Sequence, residues 1–366
     1  MAVAVAITHH PVRRIASSLA RRLFLDRQAK FWLGEFDATW SLGAIRARVV
    51  AVIAEAPDVK TFVLRPNRAW RGHLAGQYTT VEVEIDGSRF RRCYSISSAP
   101  GDARLAITVK HLPGGRVSGW LHDHVQPGHV IGLAAAAGDF VLPRPTPAKL
   151  LMLSGGSGIT PIMSMLRDLA AQRAMPDVVL VHHARSAEDV IFSAQLHDLE
   201  SRHSALRVFR CLSDGASGPG RFNEEQLSRL VPDLAERETF LCGPPSLMQR
   251  VERLWAHAGA SHRLHSERFA PAVARPPVAN REQVVTVTLS RSGRSFAASS
   301  GTLLEQLERA GERPSFGCRM GICWTCRCRK LAGSVENLLT GAVSSDPEED
   351  IQPCISVARS DVNLGL

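Results

Sequence analysis

No stretch of this 366-residue chain approaches 18 uninterrupted apolar residues, the least that reads as a membrane-spanning helix. The opening apolar run, residues 1–7, is short and has no basic residue ahead of it, which argues against a secretory leader. The expected location is therefore the cytoplasm. Lysine is scarce, with five among 44 basic residues, and the other 39 (44 − 5) are arginine. That bias, alongside abundant alanine, reflects genomic base composition rather than nucleic-acid design, so the net charge of +9 implies no nucleic-acid partner. No internal repeat is present, which excludes a solenoid. Export-type disulfides are not expected either. Of eight cysteines, Cys318, Cys323, Cys326 and Cys328 crowd into eleven positions, while Cys93, Cys211, Cys242 and Cys354 are scattered. Such clustering points to metal or catalysis.

The charge is uneven. From residue 283 onward nine basic residues meet nine acidic ones, whereas residues 1–48 carry eight basic and three acidic. Val12, Ile15, Leu19 and Leu23 recur at helical spacing with Arg13, Arg14, Arg21 and Arg22 among them, a short basic amphipathic helix. It either meets anionic lipid at the inner membrane face or packs over the next domain with its arginines in water.

Residues 45–143 alternate in short runs (RARVVAVIAE, KTFVLRP, YTTVEVEI, RLAITVKHL) broken by turn signals that include Asp86-Gly87. This pattern predicts a small antiparallel β-barrel. Beyond PRPTPAK, the runs KLLMLSGG, DVVLVHHA, LRVFRCL and ETFLCGP alternate with helical sequence, beginning with a helix over 161–173, and predict an α/β domain on a parallel sheet. PAVARPPVANR then separates a final segment of about 85 residues. The expected organisation is a basic extension over 1–44, a barrel over 45–145, a nucleotide domain over 146–270, a linker over 271–282 and a last domain over 283–366.

Cys318-x4-Cys323-x2-Cys326, completed by Cys354 after 27 intervening residues, is the plant-type ligand spacing for a [2Fe–2S] cluster. Gly317 and Gly321 in FGCRMGICWTC let the backbone wrap closely and aim amides at sulfur. A four-cysteine zinc knot is the alternative, but zinc usually takes two close cysteine pairs. Cys328 is a bystander.

RCYS, from Arg92, followed by GGRVS, from Gly114, resembles the flavin signature of the ferredoxin–NADP reductase superfamily. The chemistry fits: Tyr94 offers a face to stack on the flavin ring, Ser95 a hydroxyl near its N5, and Arg92 a fork for phosphate. Gly115 and Ser118 offer donors to the pyrophosphate at a helix start. Taken alone, Tyr94 and Arg92 also suit an ordinary strand. GGRVS favours FAD, although related reductases of this domain order use FMN.

In LLMLSGGSGITPIMSML, Gly155, Gly156 and Gly158 separate a buried strand from a helix and let a dinucleotide's phosphates approach the helix N-terminus. Thr160 suits the helix cap and Pro161 its first turn. Cys242-Gly243-Pro244 resembles the superfamily's second nicotinamide motif, which implies that Cys242 helps align the nicotinamide for hydride transfer; a small buried hydrophobe is the plainer reading. Arg185 lies where the resemblance places the 2′-phosphate of NADPH, or is a solvated surface arginine, in which case NADH serves as well. Phe269 in HSERF resembles the aromatic beside the flavin, or is a core residue.

The domain order resembles the phthalate dioxygenase reductase and phenylacetyl-CoA oxygenase reductase branch of that superfamily. It implies a flavin β-barrel, an α/β parallel-sheet nucleotide domain and a β-grasp (α+β) ferredoxin domain. The implied activity moves electrons from NAD(P)H through FAD to [2Fe–2S] and on to a partner protein. FWLGEFDATWSLGAIRARVV resembles the leader of reductases that serve membrane diiron desaturases, so a membrane diiron desaturase or hydroxylase is the expected partner. A soluble oxygenase, and a non-enzymatic redox sensor, are the alternatives.

Overall fold

The computed structural model describes residue 39 and residues 44–173, 175–213, 222–269, 285–317, 319, 321 and 324–366. The basic helix expected over 12–23, the linker at 271–282 and the ligand positions Cys318 and Cys323 lie outside the described residues.

The alternating runs form β1 (Ile45–Ala56), β2 (Val59–Pro66), β3 (Tyr78–Ile85), β4 (Ser88–Ser95), β5 (Leu105–Lys110) and β6 (Val130–Leu133), with helix α1 (Arg116–His124) between the last two. Their sheet order is β4-β3-β6-β1-β2-β5, antiparallel throughout. Ile96, just past β4, bridges Ile107 of β5 and so joins the two sheet edges into a barrel. The β3–β4 turn takes left-handed φ at both Asp86 (49°) and Gly87 (71°), the turn geometry that matches strand twist. Val117 and Leu121 of α1 close the barrel core over Phe62 and Ile107.

The second unit contains β7 (Lys149–Gly155), α2 (Ile159–Ala171), β8 (Asp177–Ala184), α3 (Ser193–Arg202), β9 (Leu206–Leu212), α4 (Glu224–Leu230), β10 (Glu238–Cys242), α5 (Pro245–His257) and β11 (Leu264–Glu267). The five strands are parallel, in the order β11-β10-β7-β8-β9. Leu150 and Met152 of β7 face one core and Leu151 and Leu153 the other, as a strand covered on both faces requires. Helix α2 begins two residues before the expected Pro161, because a 3₁₀ turn over Gly156–Gly158 leads straight into it. Thr160 therefore sits inside the first turn and does not cap: its hydroxyl donates to the Ser157 carbonyl at 2.9 Å.

The barrel and this domain share a core. Val59, Ala75 and Phe140 pack with the apolar residues of α2 and β8, and Ser164 Oγ donates to the Ser98 carbonyl at 2.6 Å. At the N-terminal ends of the central strands, the buried Arg237 guanidinium donates to Asp233, Asp177 and the Leu150 carbonyl.

The last unit comprises β12 (Thr286–Leu289), β13 (Ser295–Ala297), α6 (Leu303–Arg309), β14 (Cys328–Ala332), β15 (Val335–Asn337), β16 (Val343–Ser344), β17 (Glu349–Ile351), β18 (Ser356–Ala358) and β19 (Val362–Leu364). A mixed sheet, β13-β12-β19-β14-β17, with β12 and β19 parallel at its middle, packs on α6. The helix starts with a capping box of Thr302 and Glu305. Among the described residues, no helix is long and apolar enough to cross a membrane.

His182 on β8 is fully buried, its Nδ1 2.8 Å from Ser154 Oγ and its Nε2 without a partner among the described residues. Burial pushes its pKa down to about 3 from the ordinary 6.5. Below pH 6.5 the unfolded chain takes up a proton that the folded one refuses, so stability falls with pH at up to about 1.4 kcal/mol per unit. Thermal melts between pH 8 and 5 should show that loss beginning near 6.5. His182→Gln should flatten it, whatever its effect on the absolute Tm.

Candidate functional site

The C-terminal ends of β7, β10 and β11 and strands β4 and β5 of the barrel meet at two adjoining cavities. The first, about 520 Å³, is lined by Arg92, Tyr94, Ser95, Gly115, Ser118 and Thr160 among others. The first five were expected together from the sequence, whereas Thr160 was expected at the nicotinamide motif. Gly115 is required by space: a β-carbon would stand 2.4 Å from Ser118 Oγ. The Ser118 hydroxyl itself accepts from Leu112 N and donates to Gly115 O, each at 3.2 Å. It shapes the loop, and the unpaired first-turn amides of α1 are left for an anion. Arg92 serves two neighbours. Its Nη1 donates to the Arg91 carbonyl at 2.8 Å and to the Gly317 carbonyl, in the cysteine loop, at 3.2 Å, while the side chain also lines the cavity.

The second cavity, about 670 Å³, is lined by Gly155, Gly156, Gly158, Arg185, Gly243 and Pro244 among others. Its two glycine motifs abut backbone to backbone. A β-carbon on Gly158 would lie 2.1 Å from the Cys242 carbonyl oxygen, and one on Gly155 2.7 Å from Pro244. Gly156 adopts a φ of 52°. Lys110, Ser157 and Phe269 line both cavities, so the two spaces adjoin at these residues. Arg185, 69% exposed, is paired with Asp189 at 2.8 Å and Asp58 at 3.6 Å.

Cys242 is fully buried, and burial raises its thiol pKa well above the usual value. It is a neutral thiol, and its contribution is position. Beside it in the sheet register lies Glu267, a residue the sequence reading passed over within HSERF. Ser95 Oγ donates to its carboxyl at 3.5 Å, and it lines the first cavity. Burial lifts its pKa to about 8, which favours the protonated carboxyl at neutral pH. The available signal was its place two residues before the singled-out Phe269.

In the third unit Cys326 and Cys354 are buried with their sulfurs 3.2 Å apart. That exceeds the length of a disulfide and suits two thiolates on one metal ion. They sit among Leu304 and Ile355, with Phe316 and Leu339 packed against them. Gly321, at φ 75°, leaves no room for a β-carbon, which would lie 2.6 Å from Ile355. Cys328, by contrast, points into the core of the sheet with its thiol pKa raised to about 11 by burial.

Three families cover the chain in order. Residues 46–142 match the oxidoreductase FAD-binding domain, 152–253 the oxidoreductase NAD-binding domain and 287–359 the 2Fe-2S iron-sulfur cluster binding domain. The chain is 38% identical over 363 residues to an NADPH oxidoreductase of Mycobacterium tuberculosis, covering 98% of this chain and 92% of that one. The chain belongs to the ferredoxin–NADP reductase superfamily, in its phthalate dioxygenase reductase branch. Among solved structures, this reductase is similar to phthalate dioxygenase reductase itself, with a TM-score of 0.63 and 26% identity over 88% of this chain and 98% of that one. It is also 36% identical over 354 residues to the glycine betaine monooxygenase reductase subunit of Pseudomonas aeruginosa, covering 88% and 96% of the two chains. The reductase is thus an oxidoreductase whose electrons pass from NAD(P)H through FAD to a [2Fe–2S] cluster.

Two variants test the site. The rate of flavin reduction by NADPH should fall as pH rises through about 8, where Glu267 loses its proton, and Glu267→Gln should remove that step from the stopped-flow profile. A step that survives the substitution would discharge Glu267 from proton handling. Cys354→Ser should abolish cluster absorption and cytochrome c reduction while flavin stays bound and reducible.

Proposed function

We propose that this reductase takes hydride from NADPH and delivers single electrons to a membrane-bound diiron desaturase or hydroxylase. The match to the Mycobacterium tuberculosis NADPH oxidoreductase over 98% of this chain supports NADPH as the donor, and the observation that carries the membrane partner is the leader FWLGEFDATWSLGAIRARVV, which resembles that of reductases serving membrane diiron desaturases. The basic leader over residues 1–44 adds support, since its six basic and three acidic residues leave three net positive charges, which suit an anionic membrane surface.

When bound, the flavin supplies the change from an electron pair to single electrons, and the cluster carries them one at a time. The protein's own residues hold and align the parts. Tyr94 and Phe269 give the flavin cavity its apolar walls, Ser95 and Glu267 hold a proton at its floor, and Cys242 fills the space behind the nicotinamide position. Gly155, Gly156 and Gly158 let pyrophosphate reach the amides of α2, with Gly243 and Pro244 closing the other side and Thr160 bracing the turn through Ser157. Arg92, Gly115 and Ser118 frame the phosphate end of the FAD. Arg185 takes the 2′-phosphate of NADPH. Cys318, Cys323, Cys326 and Cys354 are the cluster ligands.

A soluble oxygenase is the second reading, favoured by the 36% identity to a monooxygenase reductase subunit. With NADPH and membranes that contain a diiron acyl desaturase, the full-length reductase should support desaturation. A form lacking residues 1–40 should lose most of that coupling while cytochrome c reduction stays within about twofold. Equal coupling by both forms would remove the membrane reading, and turnover of a soluble oxygenase without membranes would favour the second.

A further inference from the structure

Four charges form a chain across the mouth of the nucleotide cavity. Lys110 Nζ lies 3.0 Å from Asp58 Oδ2, the same oxygen lies 3.6 Å from Arg185 Nη2, and that nitrogen lies 2.8 Å from Asp189 Oδ1. Lys110 and Asp58 come from the barrel, Arg185 and Asp189 from the nucleotide domain, and all four line one cavity. The backbone of Asp58 is fixed, since it sits in the tight turn between β1 and β2 and its carbonyl accepts from His111 N at 2.7 Å. Its other carboxylate oxygen, Oδ1, is buried with no hydrogen-bond partner among the described residues. The carboxylate therefore depends on Lys110 and Arg185, both through Oδ2.

Asp189 is differently placed. It also accepts from Ser186 Oγ at 3.0 Å and, four residues from Arg185, belongs to the same loop, so it contributes to local structure. Asp58 reaches Arg185 from another domain and has no such duty there.

NADPH differs from NADH by a 2′-phosphate that carries close to two negative charges at neutral pH. A phosphate arriving at Arg185 finds two carboxylates already on that guanidinium and must displace one or lie beside it, whereas the ribose hydroxyl of NADH meets only hydrogen-bond acceptors. We propose that Asp58 is a specificity-determining residue, competing with the 2′-phosphate for Arg185 from across the domain boundary and so holding down the preference for NADPH. The proposal rests on the reading that Arg185 is the ligand of that phosphate.

The test is the ratio of kcat/KM for NADPH to that for NADH, with ferricyanide as acceptor, in the parent, Asp58→Asn, Arg185→Ala and the double variant. Asp58→Asn should raise the ratio about three- to tenfold, through a lower KM for NADPH. The gain should shrink at high ionic strength, because these charges are partly exposed. Combined with Arg185→Ala, the same substitution should move the ratio less than about twofold. If Arg185→Ala leaves the parent's ratio unchanged, the phosphate binds elsewhere and both readings fall. If Arg185→Ala lowers the ratio while Asp58→Asn leaves it unchanged, or acts equally without Arg185, the proposal is overturned and the reading of Arg185 stands. Asp58→Ser repeats the comparison should the asparagine variant prove unstable.

Discussion

The contact on which the site depends is the approach of Gly158 to the carbonyl of Cys242, so close that a β-carbon would stand 2.1 Å from the oxygen. It exists because β7 and β10 are neighbours in the sheet, where Cys242 lies level with Ser154 although 88 positions separate the two in sequence. That adjacency draws the start of α2 against the end of β10, keeps the Cys242 thiol fully buried and sets the width of the nucleotide cavity. With β11 on the far side of β10, Glu267 comes level with Cys242, and burial there keeps its carboxyl protonated.

Much of this was legible in the sequence, for identifiable reasons. Alternation and the Asp86-Gly87 turn announce the barrel because both act locally. The runs of β7 and β8 announce a parallel sheet because burial on two faces leaves no polar alternation. The cysteine spacing is a short-range constraint on the same footing. The misplaced cap at Thr160 is also local, since the 3₁₀ turn over Gly156–Gly158 winds the chain into the helix earlier than the Thr-Pro pair suggests.

What stayed hidden depends on distant packing. Glu267 looks like a solvated strand-end acid until the barrel wall covers it. Asp58 looks like a turn residue, and only the docking of the nucleotide domain brings Arg185 to it. Arg92 reads as a phosphate ligand, but its bond to Gly317 joins positions 225 residues apart, a distance that no local pattern encodes.

The barrel and the parallel sheet share one core through Val59, Ala75 and Phe140, whereas the ferredoxin domain closes around Val287, Leu289, Leu303 and Leu364 by itself. Separating the first two would strip apolar surface from both, so the two should unfold as a single piece. The third, with a core of its own, could be exchanged for another carrier without unpacking the other two, at the expense of little more than the bond from Arg92 to Gly317.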